Sequence, residues 1–341
     1  MKTRRIRNQI LHAIANGIES IYGLIDRQDA SLPEFLSILE EMKREGMVTI
    51  ENGKVKPTDE VGDIIEGLRK IDYQMCDCCD STGYRMKGFF SDILKNFEEI
   101  AENRPEAIEK FDQGFISSEG IIRRLYFIQE RGDLFDSQIF VVGDDDLFSI
   151  AAALTGLPNK IQVGEIDERL VNFINRVAEE YSLSVEATIF DVQEPLPEKF
   201  VKKFDIFVMD PVETIPGLSL FLSRGVSSLK GTGCSGYFGI TTLEASRRKW
   251  YKIEKIIHDM GFVITDLKRK FSVYPQTEKN FLRYYDKLPV SEKFGTEFDQ
   301  DWYTSTLFRI EAVREPEPVI EGRRIIDEKF YKDDESWATP Y

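Results

Sequence analysis

Four short acidic stretches could do chemistry in this chain: Gly143-Asp144-Asp145-Asp146, Glu165-Ile166-Asp167, Asp191-Val192 and Asp210-Pro211-Val212-Glu213. Each follows an apolar run. The first closes Ile139–Val142 and opens a helix-like segment. A strand, a tight turn and a helix N-terminus, in that order, cradle the cofactor in nucleotide-binding folds. Such turns are ordinarily glycine-rich, so that backbone can approach an anionic group. Three carboxylates at that position would repel a phosphate or a free carboxylate and attract an ammonium. The turn therefore predicts a nucleotide-like cofactor carrying positive charge, and a cationic co-substrate.

In open α/β sheets the ligand lies outside the carboxyl ends of the strands. Glu165 and Asp167 come about 20 residues after the turn, where a carboxylate can accept both ribose hydroxyls. Asp191, with Phe190 and Val192 as an apolar platform, suits an adenine amino group, and Asp210 and Glu213 stand at the mouth. A single acidic strand end is as readily a helix N-cap or a solvated turn; four in order predict an adenosine site. S-adenosylmethionine would fit that layout, but its carboxylate would face the Asp turn at a cost of roughly 4 kcal/mol at about 4 Å in an intermediate dielectric. Decarboxylated S-adenosylmethionine lacks that group and keeps an ammonium. Its sulfonium activates the aminopropyl carbon, so the predicted chemistry is aminopropyl transfer to an amine.

The elements that must position these residues are legible in the pattern. Strands are predicted at Ile139–Val142, Ile161–Ile166, Val185–Phe190, Asp205–Met209 and Gly236–Ile240, with helices at Leu147–Leu157, Glu168–Tyr181, Leu218–Leu229 and Leu243–Met260. This alternation predicts a parallel, doubly wound α/β sheet of the Rossmann-like methyltransferase type, closed by an antiparallel hairpin from Val263–Phe271 and Thr304–Val313. Residues 1–70 read as a small winged-helix-like domain: an apolar stripe through Ile6, Ile10, Ala13, Ile14 and Ile18, a capping box at Ser31 and Glu34, and a hairpin turning at Asn52-Gly53. Residues 71–135 read as a connector, 136–315 as the cofactor domain, and 316–341 as an acidic, aromatic tail, mobile from Asp327 to Tyr341.

Of 341 residues, 42% are hydrophobic, and Asp and Glu outnumber Lys and Arg 60 to 45, for a net charge of −15. The chain is long enough for two domains with a full core. The charge suits polycations and disfavours a phosphate-tracking surface. The second predicted helix carries Glu34, Glu40, Glu41 and Glu45 against Lys43 and Arg44, a poor face for DNA. Neither nucleic acid nor membrane is an expected partner, since no apolar run approaches the roughly 20 residues of a membrane span; a cytoplasmic homodimer is expected. Cys76, Cys78 and Cys79 cluster tightly. They are candidates for a structural Fe or Zn site with a carboxylate such as Asp77 or Asp80, with buried free thiols as the alternative.

The Gly143-Asp144-Asp145-Asp146 turn, Gly164-Glu165-Ile166-Asp167, Phe190-Asp191-Val192, Val208–Glu213 and Gly236-Tyr237-Phe238-Gly239 together resemble the branched-chain polyamine synthases of thermophilic archaea and bacteria, and more distantly the spermidine synthases. The resemblance implies two aminopropyl transfers to the secondary amine of spermidine, with 5′-methylthioadenosine released each time. Pro211 directly after Asp210 departs from the linear enzymes and removes the usual position of their base. Asp146, the last carboxylate of the turn, is the first choice for the base, with Asp210 as runner-up or second amine anchor. Gly143 with Asp144 or Asp145 would hold the cofactor's aminopropyl end, Glu165 and secondarily Asp167 its ribose, and Asp191 and Val192 its adenine. Glu213 and the tail residues Asp333, Asp334 and Glu335 are candidates for the acceptor's ammonium groups, unless the tail is a solvated terminus. A methyltransferase acting on an amine or a nucleic-acid base is the alternative activity.

Overall fold

The computed structural model describes residues 2–28, 30–69, 83–108, 111, 113–277, 280, 289–295, 300–326 and 328–336. The chain begins with helices α1 (Lys2–Ala15), α2 (Ile21–Asp26) and α3 (Leu32–Arg44). Ile6, Ile10 and Ile14 lie on one buried face of α1, as the helical spacing requires. Glu34 reaches back to accept from Ser31 N at the start of α3, and Gly46, at φ +75°, ends it. Strands β1 (Val48–Glu51) and β2 (Lys54–Pro57) form an antiparallel hairpin. Its turn residues Asn52 and Gly53 both have positive φ, the conformation that a tight hairpin selects. Helix α4 (Gly62–Arg69) follows.

Helices α5 (Phe89–Ala101) and α6 (Ser118–Glu130) lead into the sheet. In chain order come β3 (Gln138–Val142), α7 (Phe148–Leu154), β4 (Lys160–Glu165), α8 (Glu168–Tyr181), β5 (Val185–Ile189), β6 (Ile206–Met209), α9 (Ile215–Ser228), β7 (Ser235–Thr241), α10 (Arg247–Asp259), β8 (Phe262–Val273), α11 (Pro289–Phe294), β9 (Thr304–Ala312) and α12 (Glu328–Tyr331). The sheet order is β5-β4-β3-β6-β7-β9-β8. Its first five strands are parallel, and β9 runs antiparallel to both neighbours. The doubly wound sheet and its closing hairpin therefore stand as the pattern predicts.

Side chains alternate between two cores, as a pleated sheet with both faces covered demands. Ile139, Val141, Ile161, Val163 and Val208 join one core with the N-terminal helices, α6 and α8. Phe140, Val142, Phe207, Met209 and Phe238 join the other with α9 and α10. The winding reverses between β3 and β6, and this opens a crevice at their carboxyl ends. Gly143 follows β3 and Asp210 follows β6, so the fold delivers both to that crevice. Among the described residues, no helix is long and apolar enough to cross a membrane.

Residues 328–336, read as mobile, are docked: Lys249 pairs with Asp333, and Thr214 donates to Phe330 O; residues 327 and 337–341 lie outside the described ones. Arg224, fully buried on α9, donates to the carbonyls of Val192, Gln193, Ile320, Glu321 and Gly322. One side chain thus ties the tail to the loop after β5. Five carbonyls satisfy the five donors of a guanidinium, which makes its burial tolerable.

Candidate active site

The turn after β3 is fixed from three directions. Gly143 sits at φ +72°, a conformation that disfavours any side chain. The Asp144 carboxylate accepts from Ser149 N at 3.2 Å and caps α7, while Asp144 N donates to Glu165 Oε2 at 2.8 Å. Asp145 accepts from Gly114 N at 2.9 Å, and Asp146 from Ile116 N at 2.6 Å. The segment read as a connector is therefore part of the site. Burial raises Asp144 and Asp145 well above the usual carboxylate range. Asp146 is pushed up to about 6 by burial and by Asp210, against the pull of Arg124.

A cleft of about 1140 Å³, mouth included, opens at the carboxyl ends of β3, β4, β5 and β6. One end is lined by Gly143, Asp145, Glu165, Asp191 and Val192, all expected there, with Ile166, Phe190 and Phe221 as apolar surface. Glu165 spans two backbone donors, Asp144 N and Asp167 N, and burial raises its pKa. Asp191 accepts from Gln193 N and Nε2. Asp144, Asp146 and Asp167 are not brought to the cleft lining. Asp167 caps α8 through Arg169 N and pairs with the Arg169 guanidinium at 2.6 Å. That pairing, with a hydrogen bond from Gln113, holds its carboxyl below the ordinary value despite burial.

The other end gathers Asp210, Glu213, Glu244, Tyr274 and Tyr303. Arg124 on α6 is fully buried and forks between two acids, reaching Asp146 at 3.3 Å and Asp210 at 3.4 Å. The same Oδ2 of Asp210 accepts from the Tyr274 hydroxyl. Burial, then Asp210, pushes the Tyr274 phenol well above its usual range, which keeps it a proton donor. Gly239 on β7 makes room for this carboxylate: a Cβ there would lie 2.3 Å from Asp210 Oδ1.

Glu213 Oε1 accepts from Thr241 N at 2.6 Å, whereas its Oε2 is buried without a hydrogen-bond partner among the described residues. Burial and the nearby Glu244 raise Glu213 well above the ordinary range. Glu244 in turn accepts from Tyr303 Oη at 3.2 Å. Lys249 opposes the rise of Glu213, and an ammonium placed between the two carboxylates would lower both further.

The tail carboxylates are placed elsewhere. Asp333 pairs with Lys249 at 2.7 Å, and Glu335 accepts from Ser246 N and Oγ at the start of α10. Asp334 is exposed, and none of the three lines the cleft. What the tail does bring is apolar: Ile326, Phe330 and Tyr331 form part of the wall. Cys76, Cys78 and Cys79 lie outside the described residues. Among the described residues, no group of three or more His, Cys, Asp or Glu is arranged to hold a metal.

Sequence reasoning missed Arg124, Glu244, Tyr274 and Tyr303. Glu244 follows β7 as the other acids follow their strands, and that strand-end rule could have found it. No local signal marks the other three.

Residues 92–338 match the family model of the branched-chain polyamine synthase A C-terminal domain. The chain is 39% identical over 321 residues to the N(4)-bis(aminopropyl)spermidine synthase of Methanocaldococcus jannaschii, covering 93% of this chain and 90% of that one. It is 35% identical over 344 residues to the enzyme of the same name from Thermococcus kodakarensis, covering 98% and 95%. The fold superposes with a TM-score of 0.86 on the branched-chain polyamine synthase of Thermus thermophilus, solved in complex with N4-aminopropylspermidine and 5′-methylthioadenosine. That pair is 30% identical, over 98% of this chain and 93% of the other.

Proposed function

The chain belongs to the branched-chain polyamine synthase family, and from that premise we propose that it transfers aminopropyl groups from decarboxylated S-adenosylmethionine to the secondary amine of spermidine. The first transfer gives N4-aminopropylspermidine and the second the quaternary N4-bis(aminopropyl)spermidine. In each, the acceptor nitrogen attacks the aminopropyl carbon, the carbon–sulfur bond breaks, and 5′-methylthioadenosine leaves as a neutral thioether. The nitrogen must surrender one proton before each attack. The observation that carries this reading is the row of carboxylates, Asp145, Asp210, Glu213 and Glu244, along one cleft, with Glu213 Oε2 buried and without a hydrogen-bond partner among the described residues: such a lining suits a polycation.

Asp210 takes that proton. It lines the cleft, whereas both oxygens of Asp146 are engaged with Ile116 N and Arg124, so the runner-up is preferred to the first choice. Arg124 and Tyr274 both address Oδ2 of Asp210, which supports Oδ1 as the accepting oxygen. Glu213 and Glu244 hold a terminal ammonium of the acceptor, and Asp145 the ammonium of the cofactor's aminopropyl arm. Glu165 binds ribose; Asp191 and Val192 bind adenine. The protein acts as a cytoplasmic homodimer without nucleic acid. A structural Fe or Zn at Cys76, Cys78 and Cys79 is a separate proposal, read by metal analysis of the purified protein.

The test compares cofactors. Decarboxylated S-adenosylmethionine and 5′-methylthioadenosine should bind at least about tenfold more tightly than intact S-adenosylmethionine, a difference of roughly 1.4 kcal/mol. Equal or tighter binding of the intact cofactor, with methyl transfer, would favour the methyltransferase instead.

A further inference from the structure

The N-terminal helices touch the rest of the molecule beside the acceptor end of the cleft. Leu32 N, in the first turn of α3, donates to Leu243 O at 2.7 Å, and Leu243 immediately precedes Glu244. Tyr22 on α2 is buried with its ring 5.3 Å from Trp302, and Trp302 immediately precedes Tyr303. The Tyr22 hydroxyl meets Ser291 Oγ at 2.9 Å. Trp302 packs edge-on against Tyr303 at 5.7 Å, and Tyr303 against Tyr274 at 5.1 Å. The two residues that follow these contacts, Glu244 and Tyr303, are hydrogen-bonded to each other inside the cleft. A further ion pair, Asp26 to Lys270 at 3.0 Å, fastens α2 to β8.

We propose that α2 and α3 brace the acceptor site from behind its lining, and that Tyr22 is a positioning residue which, through Trp302, sets the Tyr303–Glu244 pair. The proposal rests on the reading of Glu244 as an acceptor anchor. The acids of α3 fit it, since Glu41 and Glu45 pair with Arg7 and Glu40 with Lys293; this face is spent within the chain. Aromatic rings in tilted and edge contact transmit position because each occupies its neighbour's only open volume.

The experiment uses the full chain with Tyr22→Ala, Tyr22→Phe and Glu244→Gln. It records kcat, the spermidine KM, the Kd of 5′-methylthioadenosine and the Tm. Tyr22→Ala should raise the spermidine KM about 3- to 30-fold, the range for coupling through packed side chains, and leave the 5′-methylthioadenosine Kd within about twofold. Tyr22→Phe keeps the ring against Trp302 and should restore most of the loss. A folded Tyr22→Ala protein with unchanged spermidine KM, or with both ligands weakened alike, overturns the proposal. Should Tyr22→Ala fail to fold, Trp302→Phe carries the same comparison and the same criterion. Glu244→Gln separates the two ideas. If it leaves the spermidine KM unmoved, the acceptor-anchor reading fails. If it raises KM while the Tyr22 and Trp302 variants do not, only the positioning role fails.

Discussion

Asp210 and Glu213 stand three positions apart in one loop, yet their surroundings give them different work. Asp210 is braced by a guanidinium and a phenol, both on one oxygen. Asp210→Asn should keep those contacts largely intact and lower kcat by about 10²- to 10⁴-fold, the usual worth of a positioned base, with little change in 5′-methylthioadenosine binding. Glu213 is held on one oxygen and stranded on the other. Glu213→Gln should raise the spermidine KM while raising the Tm of the ligand-free protein at alkaline pH, where a carboxyl raised by burial and by Glu244 is forced to ionise; thermal melts and steady-state kinetics read the two effects separately. The sign of the pH dependence follows from the same burial. A carboxyl raised in the folded state contributes stability below its ordinary pKa and loses it as pH rises through the folded value, which for Asp146 is about 6. The empty protein should therefore lose stability from about pH 4 through 6, whereas added spermidine, which favours the carboxylates, should stabilise more as pH rises across that range.

At the scale of elements, a base is only as well placed as the strands beneath it. Gly239 on β7 faces Asp210, and Gly239→Ala would drive a Cβ into its Oδ1. It should cost about 1–3 kcal/mol of stability, as overpacking does, and reduce kcat more than it raises KM. Arg124 on α6 joins the turn after β3 to the loop after β6. Arg124→Met leaves two buried acids without their shared cation and should destabilise by about 3–5 kcal/mol, measurable by denaturant unfolding. The strands and helices of the sheet were legible because apolar runs and 3.6-residue stripes repeat at regular intervals, and the acidic strand ends were legible because topology places every such end at one crevice. Arg124 was not, because its partners lie 22 and 86 residues away along the chain and no local pattern encodes them. The stretch from Asp327 looked mobile from its charge; over 328–336 it is held by Lys249 on Asp333 and by Ser246 on Glu335, partners remote in the chain.

Over the whole molecule the acids are in excess, for a net charge of −15, and several of them line the cleft. Such a field raises the local concentration of a polycation. kcat/KM for spermidine should fall steeply between about 0.05 and 0.5 M salt as the Debye length shrinks, while the Kd of neutral 5′-methylthioadenosine stays nearly flat. Global charge was readable from composition. The contribution of the N-terminal helices to the cleft was not, because it is made through Trp302 and Leu243, whose importance lies only in which residues come next. The most direct test of branched transfer is chromatography with tandem mass spectrometry, which separates isomeric tetraamines, of the products formed from decarboxylated S-adenosylmethionine and spermidine. The account predicts 5′-methylthioadenosine together with N4-aminopropylspermidine, followed by N4-bis(aminopropyl)spermidine. A linear tetraamine extended at a terminal nitrogen, or no aminopropyl product at all, would contradict it.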